Sequence, residues 1–367
     1  MGSYLIHLTV LFTFLTSLGV QIHALSPEYT ACQLQKSVAT SPLTGCPAGT
    51  IFVSPTDDRA SFKKVQDAIK SLPETGDAII LIGEGEYNEM VNVARSAPLT
   101  LLGQLNPDTA YNAAVSQRNL VHIWNNLYVR DGLTDEETAT LTVAPVSGQS
   151  FGNTNFRAYN IDFENRALSS LPSPIQMLPS MAASFASYQD TWYTGSGAYT
   201  YAVDSIVYGS TDYLFGFGTA WFQNVTFANR ACGGGLTAWQ GTSGTKNGVY
   251  IADSKIIRSP DASATTVTDA HCYLGRPWND LAISVYLRTY MDESIHPVGF
   301  RPWASKNTGT IPSTTYYAEF DSYGPGGSTS KRVPQDHVLT SEEVDKNFTL
   351  EEVFVGTLAW IDFKYEY

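Results

Sequence analysis

Tyr188-Gln189-Asp190-Thr191-Trp192 and Thr211-Asp212-Tyr213-Leu214-Phe215-Gly216 place two aspartates 22 residues apart, each in an aromatic- and glycine-rich run. About 22 residues is one coil of a parallel β-solenoid, where each repeat stacks on the last and like positions fall above one another. The spacing therefore predicts that both carboxylates stand on one face, a rung apart. Leu274-Gly275-Arg276-Pro277-Trp278 follows downstream. Two neighbouring carboxylates and an arginine can supply a nucleophile, a general acid/base and a charge clamp.

The repeat extends outward from these two runs. Asn160-Ile-Asp-Phe163-Glu-Asn-Arg166 resembles Asn224-Val-Thr-Phe227-Ala-Asn-Arg230, and Tyr201-Ala-Val-Asp204 resembles Tyr250-Ile-Ala-Asp253. Taking Asn160, Ala183, Asp204 and Asn224 as equivalent gives steps of 23, 21 and 20 residues. Short β-rich runs, Ala78–Ile82, Met90–Val93, Leu99–Gly103, Thr140–Val143 and Phe156–Phe163, are bounded by Gly, Pro or Asn. Before them Phe62, Val65, Ala68, Ile69 and Leu72 recur at helical spacing, with Asp58 or Ser61 as the expected cap. This reads as a short N-terminal capping helix over the first coil, since a terminal repeat must cover its open apolar end. The fold class read from these signs is all-β, a right-handed parallel β-helix. An ordinary β-sandwich is the alternative.

The 367 residues suit one elongated domain. Residues 1–24 read as a secretory signal peptide: Leu5–Val20 is apolar and Ile22-His23-Ala24 resembles a cleavage site. Residues 25–47 form an N-terminal arm, and 48–367 the solenoid. No other stretch has the composition of a membrane span. Export permits disulfides, and Cys32, Cys46, Cys232 and Cys272 allow three pairings. Closeness favours Cys32–Cys46 with Cys232–Cys272, and no metal-ligand spacing is present. Of the sequons at Asn224 and Asn347, Asn224 is read as lying within a strand, which favours Asn347 for a glycan. A net charge of −13 argues against a nucleic-acid partner. It also disfavours a fully ionised acidic polymer and allows a neutralised one.

At these motifs the chain resembles the pectin methylesterases, in the style of compact fungal members. Residues 188–192 are similar to the family's Tyr-Gln-Asp-Thr-Leu element with Trp192 for leucine. Residues 212–216 are similar to Asp-Phe-Ile-Phe-Gly, 274–278 to Leu-Gly-Arg-Pro-Trp, and Gly85-Glu86-Tyr87-Asn88-Glu89 to the early Gly-x-Tyr-x-Glu element. The resemblance implies a secreted, cofactor-free, monomeric hydrolase acting on the methyl esters of homogalacturonan. It implies Asp212 as nucleophile, Asp190 as general acid/base, Arg276 as the residue orienting the nucleophile, and Gln189 as an oxyanion donor. It also implies that Trp278 lines the substrate groove. Trp303 and Tyr193 are further platforms for sugar rings, because aromatic faces offer large apolar area.

One segment departs from the family pattern. A second glutamine is expected about 22 residues before Gln189, but the nearest, Gln176, lies 13 before it, among Pro172, Pro174 and Pro179. Proline is excluded from central strands, so a shortened coil is expected here, with one oxyanion donor in question. A non-catalytic carbohydrate-binding solenoid is thus the main alternative to the esterase. A calcium-dependent lyase or a glycoside hydrolase on the same fold lacks its acidic clusters. Gly148-Gln-Ser150-Phe-Gly152, with His271, His296 and His337, matches a serine-hydrolase elbow in letters only. That elbow needs a helix after the serine, and a β-run follows.

Overall fold

The computed structural model describes residues 28–107, 119–128, 133–145, 152–167, 183–303, 309–356 and 358–364. Their strand pairs are all parallel, and they stack into a parallel β-helix. One eight-stranded sheet runs nearly the whole length, from Gly85–Asn88 to Tyr290–Met291. A second face is formed first by four strands, Ile51–Val53 to Phe156–Tyr159, and then by six, Tyr199–Val203 to Asp336–Val338. A third, short-stranded sheet comprises Trp192–Thr194, Leu214–Gly216, Thr237–Trp239 and Gly275–Pro277.

The coil spacing holds where the motifs lie. Ile161 pairs with Ala183, and Ser184 with Ile206, each 22 residues on. Thr226 lies 20 beyond Ile206, and later coils lengthen through their loops. The ladder is offset by one from the sequence reading: Ala183 is level with Ile161, not with Asn160. Between the strands, Asn160, Asp204, Asn224 and Asp253 all have φ between 49° and 58°, a left-handed corner that Asn and Asp tolerate best. Their side chains link the coils: Asn224 Nδ2 donates to Asp204 Oδ1 at 2.6 Å, and Gln223 Nε2 to Asp253 Oδ2 at 2.8 Å. The corner at Asn160 divides the expected run Phe156–Phe163 into Phe156–Tyr159 and Ile161–Asn165. Asn224 is itself an exposed corner residue, so its supposed place inside a strand no longer argues against a glycan there.

Inside the coils, like residues stack. Phe163, Phe185, Val207 and Phe227 occupy one register line, and Phe163 and Phe185 lie face to face at 5.6 Å. Outward faces are apolar too, so each needs a cover. The first four-stranded sheet turns Phe52, Leu81, Leu102 and Tyr159 outward against Tyr29 and Cys32 of the N-terminal arm. The six-stranded sheet buries Trp221, Tyr250, Val285 and Ala318 under the helices Ser341–Asn347 and Leu350–Val353, through Val344, Phe348 and Phe354. Burial on both faces explains strands such as Gly248–Ala252, buried at every position. Disulfides Cys32–Cys46 and Cys232–Cys272 are both formed.

The capping helix is Val65–Lys70, and Val65, Ala68 and Ile69 pack on Val53, Ile80 and Val91. Its cap is neither Asp58 nor Ser61. Glu89 accepts from the backbone N–H groups of Val65 and Gln66, both at 2.9 Å. This charge at the helix start satisfies two otherwise unpaired donors. It also accounts for Gly-x-Tyr-x-Glu: Tyr87 is buried with its hydroxyl on Gly83 O at 2.8 Å, and Gly85 has a φ of 153°. Among the described residues no helix is long and apolar enough to cross a membrane. The segments 1–24 and 168–182, with Gln176, and the serine of the elbow motif, Ser150, lie outside the described residues. The eight-stranded sheet nonetheless passes without a gap from Ile161–Asn165 to Ala183–Ala186.

Near the C-terminal end Arg332 grips the fully buried Glu319, and the adjacent Asp336 has no hydrogen-bond donor on either oxygen. Burial, and then the Glu319 charge, push Asp336 up to about 8. The folded state thus holds a proton that the unfolded chain releases, so this site costs stability as pH rises from 3.8 to about 8. Asp336→Asn is therefore expected to raise the melting temperature at pH 8 and leave it unchanged near pH 4, as thermal unfolding at the two pH values would read.

Candidate active site

The short-stranded sheet and the corner leading into it gather the predicted residues. Gln189 bridges Thr211, which sets Asp190 and Asp212 on successive rungs, about 4.8 Å apart by strand spacing. Both have left-handed backbones, φ 52° and 48°, which turn the chain from the eight-stranded sheet into the short one. Asp212 is 5% exposed. Arg276 Nε reaches its Oδ1 at 2.9 Å and Arg276 Nη2 its Oδ2 at 2.5 Å, a two-pronged clamp. Gly235 N–H donates a third bond to Oδ1 at 3.2 Å. Arg276 is in turn held from above, its guanidinium lying 3.9 Å from the Trp303 ring centre. Asp190 is more open, and Gln189 Nε2 donates to its Oδ2 at 3.0 Å.

Glycines make the close approach possible. A Cβ on Gly234 would lie 2.4 Å from Asp212 Oδ1 and 2.8 Å from Arg276 Nε. One on Gly275 would lie 2.2 Å from Thr237 Oγ1. The Asp212–Arg276 pair can therefore form only against a backbone without side chains.

Aromatic rings extend from the pair. Tyr193, 54% exposed, lies 5.0 Å from Phe215 and 6.0 Å from Phe217. Phe217 lies 4.8 Å from Trp278, and Trp278 stacks on Trp303 at 6.5 Å and 14°. Tyr193, Trp278 and Trp303 thus form one half-exposed track beside Asp212 and Arg276. Trp192 points the other way, into the core between Phe185 and Phe222. Elsewhere, His296 stacks on Tyr273 and His337 on Tyr316, while strand Phe156–Tyr159 follows Gly152 where a serine elbow would need a helix.

A family model described as Pectinesterase matches residues 51–357. The chain belongs to the pectinesterase family. Among curated proteins it is 32% identical over 328 residues to the probable pectinesterase/pectinesterase inhibitor 36 of Arabidopsis thaliana, covering 84% of this chain and 58% of that one. It is 28% identical to the probable pectinesterase A of Aspergillus niger, covering 88% and 90%. The chain spans about half the length of the Arabidopsis relatives it matches, 50% to 58%. In fold it is similar to the pectin methylesterases of Aspergillus niger (TM-score 0.68, 24% identity, 87% and 98% covered) and carrot (0.67, 23%, 86% and 95%).

A second constellation escaped the sequence reading, which expected no metal-type grouping. On the outer face of the eight-stranded sheet, His122 Nδ1 lies 3.2 Å from both Asp162 Oδ2 and Glu164 Oε1. Asn119 holds the other oxygen of Asp162, and Arg166 that of Glu164, both at 2.7 Å. The signal was present in Asp162-x-Glu164: residues two apart on a strand share a face. Burial lowers the His122 pKa, but hydrogen bonds to the two carboxylates and their charges outweigh it and push it up to about 10. Glu164 is raised by burial but held below its ordinary value by His122 and Arg166.

Two outcomes follow. Gly234→Ala is expected to leave the β-helix folded, as circular dichroism would show, while lowering kcat about 10²-fold, because it displaces Asp212 from Arg276. For His122, the raised folded pKa gives stability that is complete below 6.5 and lost as pH rises through about 10. His122→Asn should cost about 3 kcal/mol at pH 6, since it leaves the buried Asp162 without a charge partner and Glu164 with Arg166 alone. Its deficit against the natural protein should shrink toward pH 10 in urea unfolding.

Proposed function

We propose that this chain hydrolyses the C6 methyl esters of homogalacturonan, releasing methanol and leaving a carboxylate on the polymer. The observation that carries the reading is the buried Asp212 held two-pronged by Arg276, with Asp190 one rung away beside an exposed aromatic track. The clamp presents Asp212 as a carboxylate whose attacking oxygen cannot rotate away. It attacks the ester carbonyl carbon, and the side-chain amide of Gln189 donates to the oxygen that becomes negative. Asp190 gives its proton to the departing methoxide. Methanol leaves an acyl group on Asp212. Water then attacks that acyl carbon, Asp190 takes the water's proton, and Asp212 is freed. These steps use side chains and water alone.

Trp278, Trp303 and Tyr193 are proposed to seat sugar rings along the track. The neutral methyl ester suits a chain of net charge −13, which would repel a fully ionised pectate. Two disulfides in place support export through a signal at residues 1–24. The proposed working form is a monomer, with no nucleic acid or membrane as partner.

The test is methanol release from highly methylated pectin by the purified protein, beside Asp212→Asn. Asparagine keeps the left-handed corner and the shape of the side chain, so the variant should fold and its turnover should fall by at least about 10³-fold. Equal release by both proteins would remove Asp212 from the nucleophile's role. No release by a folded natural protein that still binds methylated oligomers would make it a binding solenoid.

A further inference from the structure

Two arginines reach back across the coils toward the aspartates, and the proposed steps use only Arg276, which grips Asp212 itself. The other, Arg230, follows the strand Thr226–Asn229 and is 7% exposed. Ala186, Tyr208 and Ala228 share one register line, so Arg230 stands two coils beyond Tyr188. That is the turn where the chain leaves the eight-stranded sheet for Asp190.

The surroundings of Arg230 fix its guanidinium. Nε and Nη2 donate to Asp261 Oδ2 at 3.0 and 2.7 Å, and Ser259 Oγ holds the other oxygen of Asp261. The rings of Tyr188 and Tyr208 lie 5.1 and 5.0 Å away, centre to guanidinium carbon. A planar fork held by two of its arms leaves the third with one direction. That arm, Nη1, donates to Ser187 O at 2.8 Å. Ser187 and Tyr188 lead directly into Gln189 and Asp190. The adjacent coil already holds this stretch: Tyr188 O accepts from Ser210 N–H and Oγ, both at 2.7 Å, and Asp190 N–H donates to Thr211 O at 3.1 Å. Arg230 ties the same stretch to the coil beyond. Asp190 is more open than the clamped Asp212, so the aim of its carboxylate depends on where this backbone stands. A displacement of about 1 Å there is enough to lower a rate ~10²-fold.

We propose that Arg230 is a positioning residue for ester hydrolysis: too buried to touch substrate, it holds Ser187 and Tyr188 so that Asp190 reaches the leaving alcohol. This rests on the esterase reading above. Each aspartate then depends on an arginine from two coils further on, Asp212 through its carboxylate and Asp190 through the backbone before it.

The experiment compares first-turnover alcohol release from the methyl and trifluoroethyl esters of one oligogalacturonate. Trifluoroethanol departs with far less need of a donated proton than methanol, so its ester is the less sensitive to a displaced acid. The variant is Arg230→Met with Asp261→Asn, which removes the pair without leaving a buried charge alone. It should release methanol about 10²-fold more slowly at saturating substrate, trifluoroethanol at most about tenfold more slowly, and bind the oligomer as before. Arg230→Lys keeps a charge beside Asp261 and loses the third arm. It should show the same selective loss at smaller size, and it carries the comparison if the double variant does not fold, as circular dichroism would show. Equal loss on both esters would overturn the proposal and leave Arg230 a structural support. If the natural protein released alcohol from neither ester, the esterase reading would fall on its own. Amide hydrogen exchange would then decide Arg230: about tenfold faster exchange across residues 187–192 in the variant, with 212–216 unchanged, supports its hold on the Asp190 backbone, and unchanged exchange at 187–192 refutes it.

Discussion

A residue with φ near +50° at a fixed corner of the coil is the constraint from which the fold and the site both follow. Asn160, Asp204, Asn224 and Asp253 turn the chain at one corner, and Asp190 and Asp212 at another. Short polar side chains accept this backbone at little cost, whereas most L-residues do not. Once they stack, their own amides and carboxylates bridge the coils, as between Asn224 and Asp204. The corner fixes where each strand begins, and so which side chains point inward. A slip of one residue would turn the Phe163–Phe185–Phe227 stack outward.

The site is an exception made out of that rule. Asp190 and Asp212 occupy corner positions where an aspartate would ordinarily serve the backbone, and Asp212 still does so through Gly235 N–H. Asp212 differs in meeting Arg276 from two coils away, an approach that demands the glycine at 234. The corner ladder and the Asp212–Arg276 pair therefore use one geometric device, with a different partner on the far side of the carboxylate. The buried pair must cost desolvation, and the bidentate fork with a third backbone donor is the kind of geometry that offsets it.

Much of this was legible in the letters because a solenoid repeats itself. Spacing alone placed Asp190 over Asp212, and Ala78–Ile82 and Leu99–Gly103 were bounded correctly by their flanking turns. What stayed hidden depended on contacts distant in sequence. Glu89 caps a helix that starts 24 residues earlier, so no local capping pattern could reveal it. His122 meets Asp162 and Glu164 across 40 residues of intervening chain, and only the pairing of their strands brings them together. The one-residue error at Ala183 came from matching Asn160, a corner residue, to the first residue of a strand.

The outer faces explain why a solenoid of this kind needs its ends. Two sheets carry apolar residues on both sides, and neither can face water. The N-terminal arm, pinned by Cys32–Cys46, covers the first, and the C-terminal helices cover the second. The faces are joined through Tyr159, whose hydroxyl donates to Asp362 at 2.9 Å. The short-stranded sheet is treated differently. Beside it Tyr193, Trp278 and Trp303 lie partly open, with no covering element among the described residues. An extended aromatic surface left open on a fold that covers its other apolar faces fits a long, flat ligand that lies along the coils. The sugar polymer proposed as substrate has that shape, and Arg276, at the edge of that surface, is already spent on Asp212.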